Sequence, residues 1–309
     1  MAQVTLLGPQ EPDSNIQDAL TDVPADAPVV SITAGWRERE GEIDALARAV
    51  ERPLTDLRLY TRANSVFAAD EALHAAISER QERLKEQQRL YRMRLQHLAS
   101  SAYEMLGADS TSSEALHVEQ RAAISQMRTL DRHHLRRVTQ LQARFDQHWT
   151  PWERPALRAQ LEAVEDIVKS AAAILIAGGH IAVLLNRLRL FGVDSLLRGR
   201  RIIAWSAGAM ALCQHVVLYH DYAPEGRRKP EVLGNGLGLV SGIVPLSAAA
   251  QRLERDDRLW LSLYARRFSP AKCVALSSGA LLHYEDGRLL RATDATRISL
   301  QGRMKLVRP

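Results

Sequence analysis

The chain has 309 residues, 46% apolar and 25% charged, which is material for one large folded domain or two small ones. Its two cysteines, Cys213 and Cys273, exclude a disulfide framework and fit a reducing, cytoplasmic setting. The 41 basic and 36 acidic residues leave a net charge of +5, but the signs are interleaved and no binding motif accompanies them, so the arginines read as solvated surface and nucleic acid is not an expected partner.

The N-terminal segment, residues 1–13, lacks the basic and apolar regions of a signal peptide. Val4–Leu7 and Val29–Thr33 read as strands, Glu40–Ala49 as an amphipathic helix and Leu57–Tyr60 as a third short strand. Between Pro53 and Pro151 there is no proline, and between Gly41 and Gly178 the only glycine is Gly107. Such a stretch is expected to be helical. Ile77, Leu84, Tyr91, Leu98 and Met105 recur every seven residues along one stripe. The polar run after Gly107 predicts a turn, and Thr111 with Glu114 has capping-box spacing for a second helix. Two antiparallel helices over 69–106 and 112–149 result, each on the order of 55 Å long at the α-helical rise. They form an inserted, coiled-coil-like unit, 69–150, whose charged faces are either solvated or serve as a dimerisation arm.

Beyond the hairpin, strands and helices alternate. Leu157–Lys169 is a helix, Ala172–Ile176 a buried strand, Ala182–Phe191 a helix and Arg201–Trp205 a strand, with later strands at Val216–Tyr219, Val274–Leu276 and Leu281–Tyr284. The most apolar stretch, Ala171–Leu185, is broken by Gly178, Gly179 and His180 and is too short to span a membrane. The pattern predicts an α/β fold with a mainly parallel sheet flanked by helices, formed by 1–68 and 151–309. Ligand sites in such folds lie beyond the carboxyl ends of the strands, where both Gly178–Gly179 and Ser206 fall.

Ser206 follows the apolar strand directly, with Ala204 two residues before it, Gly208 two after, and an Ala-rich helix run beginning at Ala207. Small neighbours are what a sharp strand-to-helix turn requires when it lifts a serine hydroxyl out of a sheet. The first helix amides then face whatever the serine attacks. A helix N-cap is the plainer reading of the same serine. Gly178–Gly179 offers amides that approach a ligand closely, or simply a tight turn. Gly234–Gly238 matches a dinucleotide fingerprint only superficially and reads as loop. Cys213, on the helix behind the turn, is expected as a buried structural thiol, and Arg37 and Arg39 beside Trp36 as surface charge or carboxylate ligands. No His, Cys or acidic spacing has a metal-ligand pattern, and no cofactor is expected.

These motifs resemble the peptidase E (aspartyl dipeptidase) and cyanophycinase family of serine peptidases, which has a class I glutamine amidotransferase-like fold. The resemblance rests on Ile174–Leu185, on Trp205–Ala209 within Ala204–Met210, and on Gly236–Pro245, with Val274–Gly287 similar to the family's closing hairpin. It implies Ser206 as nucleophile, Asp221 as triad acid, the Gly179 and Ala207 amides as oxyanion hole, and a small, acidic peptide or amide as substrate, with no cofactor. Where the family has proline followed by its catalytic histidine, this chain has Pro245 and Leu246, and the family's Gly-Gly-Asn or Gly-Gly-Asp becomes Gly-Gly-His180. Leucine accepts no proton, so a base must come from elsewhere. His180, on the Gly-Gly loop, is the nearest candidate, the alternative being that it caps the following helix. His220, next to Asp221, is expected to point away if Asp221 points in, and His283 has no evident route to the site. Two functions stay open: a serine hydrolase, with acyl or amido transfer as a variant of the same chemistry, and an inactive relative that assembles or binds a partner through its hairpin, most simply as a homodimer.

Overall fold

The computed structural model describes residues 2–108, 113–222 and 228–309. In chain order the first elements are β1 (Gln3–Leu7), α1 (Ile16–Leu20), β2 (Val29–Ile32), α2 (Asp44–Val50), β3 (Leu54–Asp56) and α3 (Leu59–Ala69). The hairpin follows as α4 (Glu71–Gly107) and α5 (Glu114–Trp149), then α6 (Pro155–Lys169), β4 (Ala173–Ile176), α7 (Ile181–Leu190), α8 (Val193–Leu197), β5 (Arg201–Trp205) and α9 (Ala207–Leu212). The chain ends with β6 (His215–His220), β7 (Arg228–Asn235), β8 (Ile243–Ser247), α10 (Ala249–Arg252), α11 (Arg258–Phe268), β9 (Lys272–Leu276), β10 (Leu281–Glu285), β11 (Arg288–Thr293), β12 (Thr296–Ile298) and β13 (Met304–Leu306).

The main sheet has seven strands in the order β11-β10-β1-β5-β4-β2-β3. Its five strands from β1 to β3 are parallel, and β10 and β11 add an antiparallel edge. Side chains alternate across it. Ile32, Ile176, Ile202 and Ala204 face a core with α3, α6, α7 and α9. Leu175, Ile203 and Trp205 face α1 and α2 on the other side. Burial on both faces is why these strands are continuous apolar runs. A four-stranded sheet, β13-β12-β9-β8, and a β6–β7 ribbon stand apart from it. The segment Val274–Gly287 is therefore not a hairpin: β9 belongs to the small sheet and β10 to the large one, and the hairpin is β10–β11.

The predicted third strand is displaced. β3 ends at Asp56, and Leu59 and Tyr60 begin α3. Glu40 decides this: its buried carboxylate accepts from the Tyr60 and Thr61 amides, 2.9 and 2.7 Å away, and so caps the first turn of α3 from a different segment of the chain. Thr111, the predicted capping residue, lies outside the described residues; Ser113 caps α5 by accepting from the Leu116 amide.

The helical hairpin lies against the body. Tyr91, Leu95, Ala99 and Ala102 of α4 and Ile124, Met127 and Leu130 of α5 pack with Val217, Val232, Trp260 and Leu261 into one apolar core. His134, 3% exposed, stacks on Tyr91 at 4.1 Å, and its Nε2 finds no hydrogen-bond partner among the described residues. Burial holds its pKa below the ordinary value of 6.5, because the charged imidazolium is poorly solvated there. In the unfolded chain His134 takes up a proton near that ordinary value, while in the folded chain it resists until lower pH. Stability against urea is accordingly expected to be full above about pH 6.5 and to fall as pH drops below it. The slope should weaken in His134→Phe; an unchanged slope in that variant contradicts the assignment.

Candidate functional site

Strands β4 and β5 run side by side, with Ile176 level with Ala204, so their carboxyl ends deliver Gly178 and Ser206 to the same place. Ser206 has φ 52° and ψ −121°, a region that side chains rarely adopt, between the last residue of β5 and the first of α9. Such a conformation persists only where the surroundings over-determine it. Two glycines do so here. A Cβ at Gly208 would stand 2.2 Å from the Ile176 carbonyl oxygen, and one at Gly178 would stand 2.7 Å from Ser206 Cβ. The first turn of α9 is pressed onto the end of β4, and only glycine permits that approach.

A cavity of about 500 Å³ opens over this corner. Gly179, Ser206 and Ala207 form its floor, Tyr219, His220, Lys229 and Glu231 of the ribbon form one wall, and Ser247, Ala248 and Arg252 form another. Arg92 of α4 completes it, so the hairpin supplies part of the site. Arg92 is held there by Glu231, whose buried carboxylate accepts from Nε at 2.7 Å and Nη2 at 3.0 Å and also from Gln88. This fork geometry fixes the guanidinium in place. Lys229 lies 4.9 Å from the centre of the Trp260 ring.

The structure separates residues that the sequence suggested would meet. His180 does not line this cavity. Its Nδ1 accepts from the Val183 amide at 3.3 Å, capping α7, and its exposed ring borders a different groove between α4 and α7. The imidazole that lines the cavity with Ser206 is His220. Asp221 turns to the core with Trp260 and Tyr264, the side that Val217 and Tyr219 share, so alternation along β6 leaves His220 on the cavity side. Asp221 is buried beside the cavity wall. Its carboxylate accepts from the Glu254 amide (2.9 Å), Trp260 Nε1 (3.0 Å) and Tyr264 Oη (3.3 Å), and its amide donates to the Arg252 carbonyl. It thus ties the end of β6 to α10 and α11.

Leu246 is fully buried in the core with Trp260, on the same face of β8 as Val244. The next residue, Ser247, reaches the cavity. Arg37 and Arg39 pair with Glu38 and Glu42 on the surface, and His283 meets Thr5 Oγ1 within the main sheet. The Cys213 thiol is buried against the Ala209 carbonyl, and burial pushes its pKa up, as expected of a structural cysteine. Among the described residues no three His, Cys, Asp or Glu side chains group as metal ligands, and no helix is long and apolar enough to cross a membrane. Sequence reasoning missed Arg92, Lys229, Glu231, Ser247 and Arg252. Each looks like an ordinary surface or strand residue until the ribbon, β8 and the hairpin are brought over Ser206.

Comparison with known proteins agrees with the local motifs. The model of peptidase family S51 matches residues 134–291, a little over half the chain, including β4, the Ser206 corner and β8. No curated protein sequence matches. Among solved structures, the chain is similar to a peptidase from an acI-B1 Actinobacterium, with 12% identity over 99% of this chain and 94% of that one at a TM-score of 0.45. It is also similar to a peptidase E candidate from Listeria monocytogenes EGD-e, with 11% identity over 97% of this chain and 100% of that one at a TM-score of 0.42.

Proposed function

The chain belongs to peptidase family S51, and from that membership we propose that it is a serine hydrolase acting on small peptides or amides, acidic ones included, with Ser206 as nucleophile. The observation that carries this reading is the positive-φ serine at a strand-to-helix corner, opening into a cavity bordered by Gly179 and Ala207. In the proposed cycle Ser206 Oγ attacks the substrate carbonyl carbon while its proton passes to the His220 imidazole. The Gly179 and Ala207 amides hold the oxyanion of the tetrahedral intermediate. The C–N bond then breaks, His220 returns the proton to the leaving amine, and water releases the acyl group by the same steps. Asp221 supports the end of β6, where His220 stands, through its bonds to Trp260 and Tyr264. Each oxyanion donor is worth on the order of 10²–10³ in rate.

A fluorophosphonate probe should label the protein at one residue, and Ser206→Ala should abolish labelling; a wild-type chain that stays unlabelled across a broad pH range rejects the reading. One observation favours a second reading, a non-catalytic relative: Leu246, where the resemblance places the family histidine, is sealed in the core. The same labelling experiment separates the two.

A further inference from the structure

Ser247 is 3% exposed, and its hydroxyl is the one buried side-chain oxygen without a hydrogen-bond partner among the described residues. Its own carbonyl is already taken by the Tyr219 hydroxyl at 2.5 Å, so the residue is held from the backbone side while Oγ is left over. The residue borders the same cavity as Ser206. A buried hydroxyl without a partner carries a desolvation cost, and such groups persist where something else completes their bonding. The backbone is also set for this purpose. Leu246 turns into the core, Ser247 turns to the cavity, and Ala248 follows at φ 57°, reversing the chain into α10 so that Arg252 comes back to the same wall.

We propose that Ser247 is a substrate-binding residue: its hydroxyl donates to an acceptor oxygen of the bound peptide, a carboxylate or a peptide carbonyl, with the Arg252 guanidinium beside it as a second donor. This rests on the hydrolase reading for the identity of the ligand, but not on Ser206 being reactive. The Arg252 guanidinium can only donate, so it selects an oxygen acceptor and disfavours a substrate ammonium, and the Ser247 hydroxyl can donate to the same acceptor. Charge-assisted bonds of this kind are shorter and stronger than neutral ones, which weights the carboxylate over the carbonyl.

The test is calorimetric titration of the Ser206→Ala protein, in which no turnover occurs, with alanyl-alanine and with its C-terminal amide, before and after adding Ser247→Ala. Loss of one hydrogen bond to a charged acceptor is expected to weaken binding by about ten-fold or more. The thermal midpoint should stay level or rise, since an unpaired buried hydroxyl has been removed. Weakening confined to the free acid assigns the acceptor as the carboxylate, and equal weakening for both ligands assigns a peptide carbonyl. Unchanged affinity in Ser247→Ala, no binding by the parent, or a lowered thermal midpoint that marks the hydroxyl as a structural group each overturns the proposal. Failure of the hydrolase reading is registered separately, by the absence of fluorophosphonate labelling in the wild-type chain.

Discussion

His220→Gln is expected to slow fluorophosphonate labelling of Ser206 by about 10²–10⁴-fold, the usual worth of general-base assistance. Serine is a weak nucleophile until its proton is taken, and the described residues offer a single imidazole in the cavity wall for that task, at the end of β6. Glutamine keeps approximate size and polarity but cannot take up the serine proton, so the rate should fall while the cavity stays filled. His180→Gln is the matched control. His180 caps α7 and borders another groove, so its loss should change labelling by less than about three-fold and cost no more than a helix cap, roughly 0.5–2 kcal/mol. The opposite result, a large loss at His180 and none at His220, would return the base to the Gly-Gly loop and defeat the assignment made from the cavity.

The second large effect concerns the seam between hairpin and body. Asp131→Ala is expected to destabilise the fold by about 3–5 kcal/mol, measured by urea unfolding at pH 7.5. Asp131 on α5 receives two bonds from the Arg267 guanidinium, at 2.8 and 2.7 Å, and a third from Tyr91 Oη at 2.8 Å. Arg267 on α11 is 2% exposed and also donates to the Pro230 carbonyl and to Tyr91 Oη, which in turn accepts from the Val232 amide. Four elements, α4, α5, α11 and β7, therefore meet on one charge pair. Removing the carboxylate strands a buried cation with its remaining partners unable to neutralise it. That loss is a large share of the 5–15 kcal/mol by which a protein usually holds its fold. Replacing both members by apolar residues of similar volume, Asp131→Leu with Arg267→Met, should be much milder than Asp131→Ala alone, because no uncompensated charge is left. A single substitution costing less than about 1 kcal/mol contradicts this account. Because Arg92 on the same hairpin borders the cavity, a hairpin loosened at Asp131 should also disturb ligand binding at Ser206.

Much of the main sheet was legible because its information is local. β1, β2, β4 and β5 are short apolar runs flanked by polar turns and helices, and a parallel strand buried on both faces has that signature wherever it occurs in the chain. The two long helices were equally plain from the absence of Gly and Pro. β3 was misplaced because its end is decided by Glu40, a carboxylate from a different segment that caps α3. Within the small sheet only the β9 run, Val274–Leu276, was legible; helix α11 was missed because its apolar residues, Trp260, Leu261 and Tyr264 among them, are buried against the hairpin and β8, and no periodicity in one segment shows what will cover it.

By itself the sequence determined the parallel α/β core, the long hairpin and the sharp corner at Ser206, all set by short-range constraints: which residues are apolar, which lack side chains, and where Gly208 lets a helix begin against a strand. Only the tertiary structure decided which histidine shares a cavity with that serine, that Leu246 turns inward while Ser247 turns to the cavity, and that a hairpin arginine closes one side. Those outcomes depend on where chain segments far apart in sequence come to rest, and side-chain direction at the end of a strand is set by what packs against it.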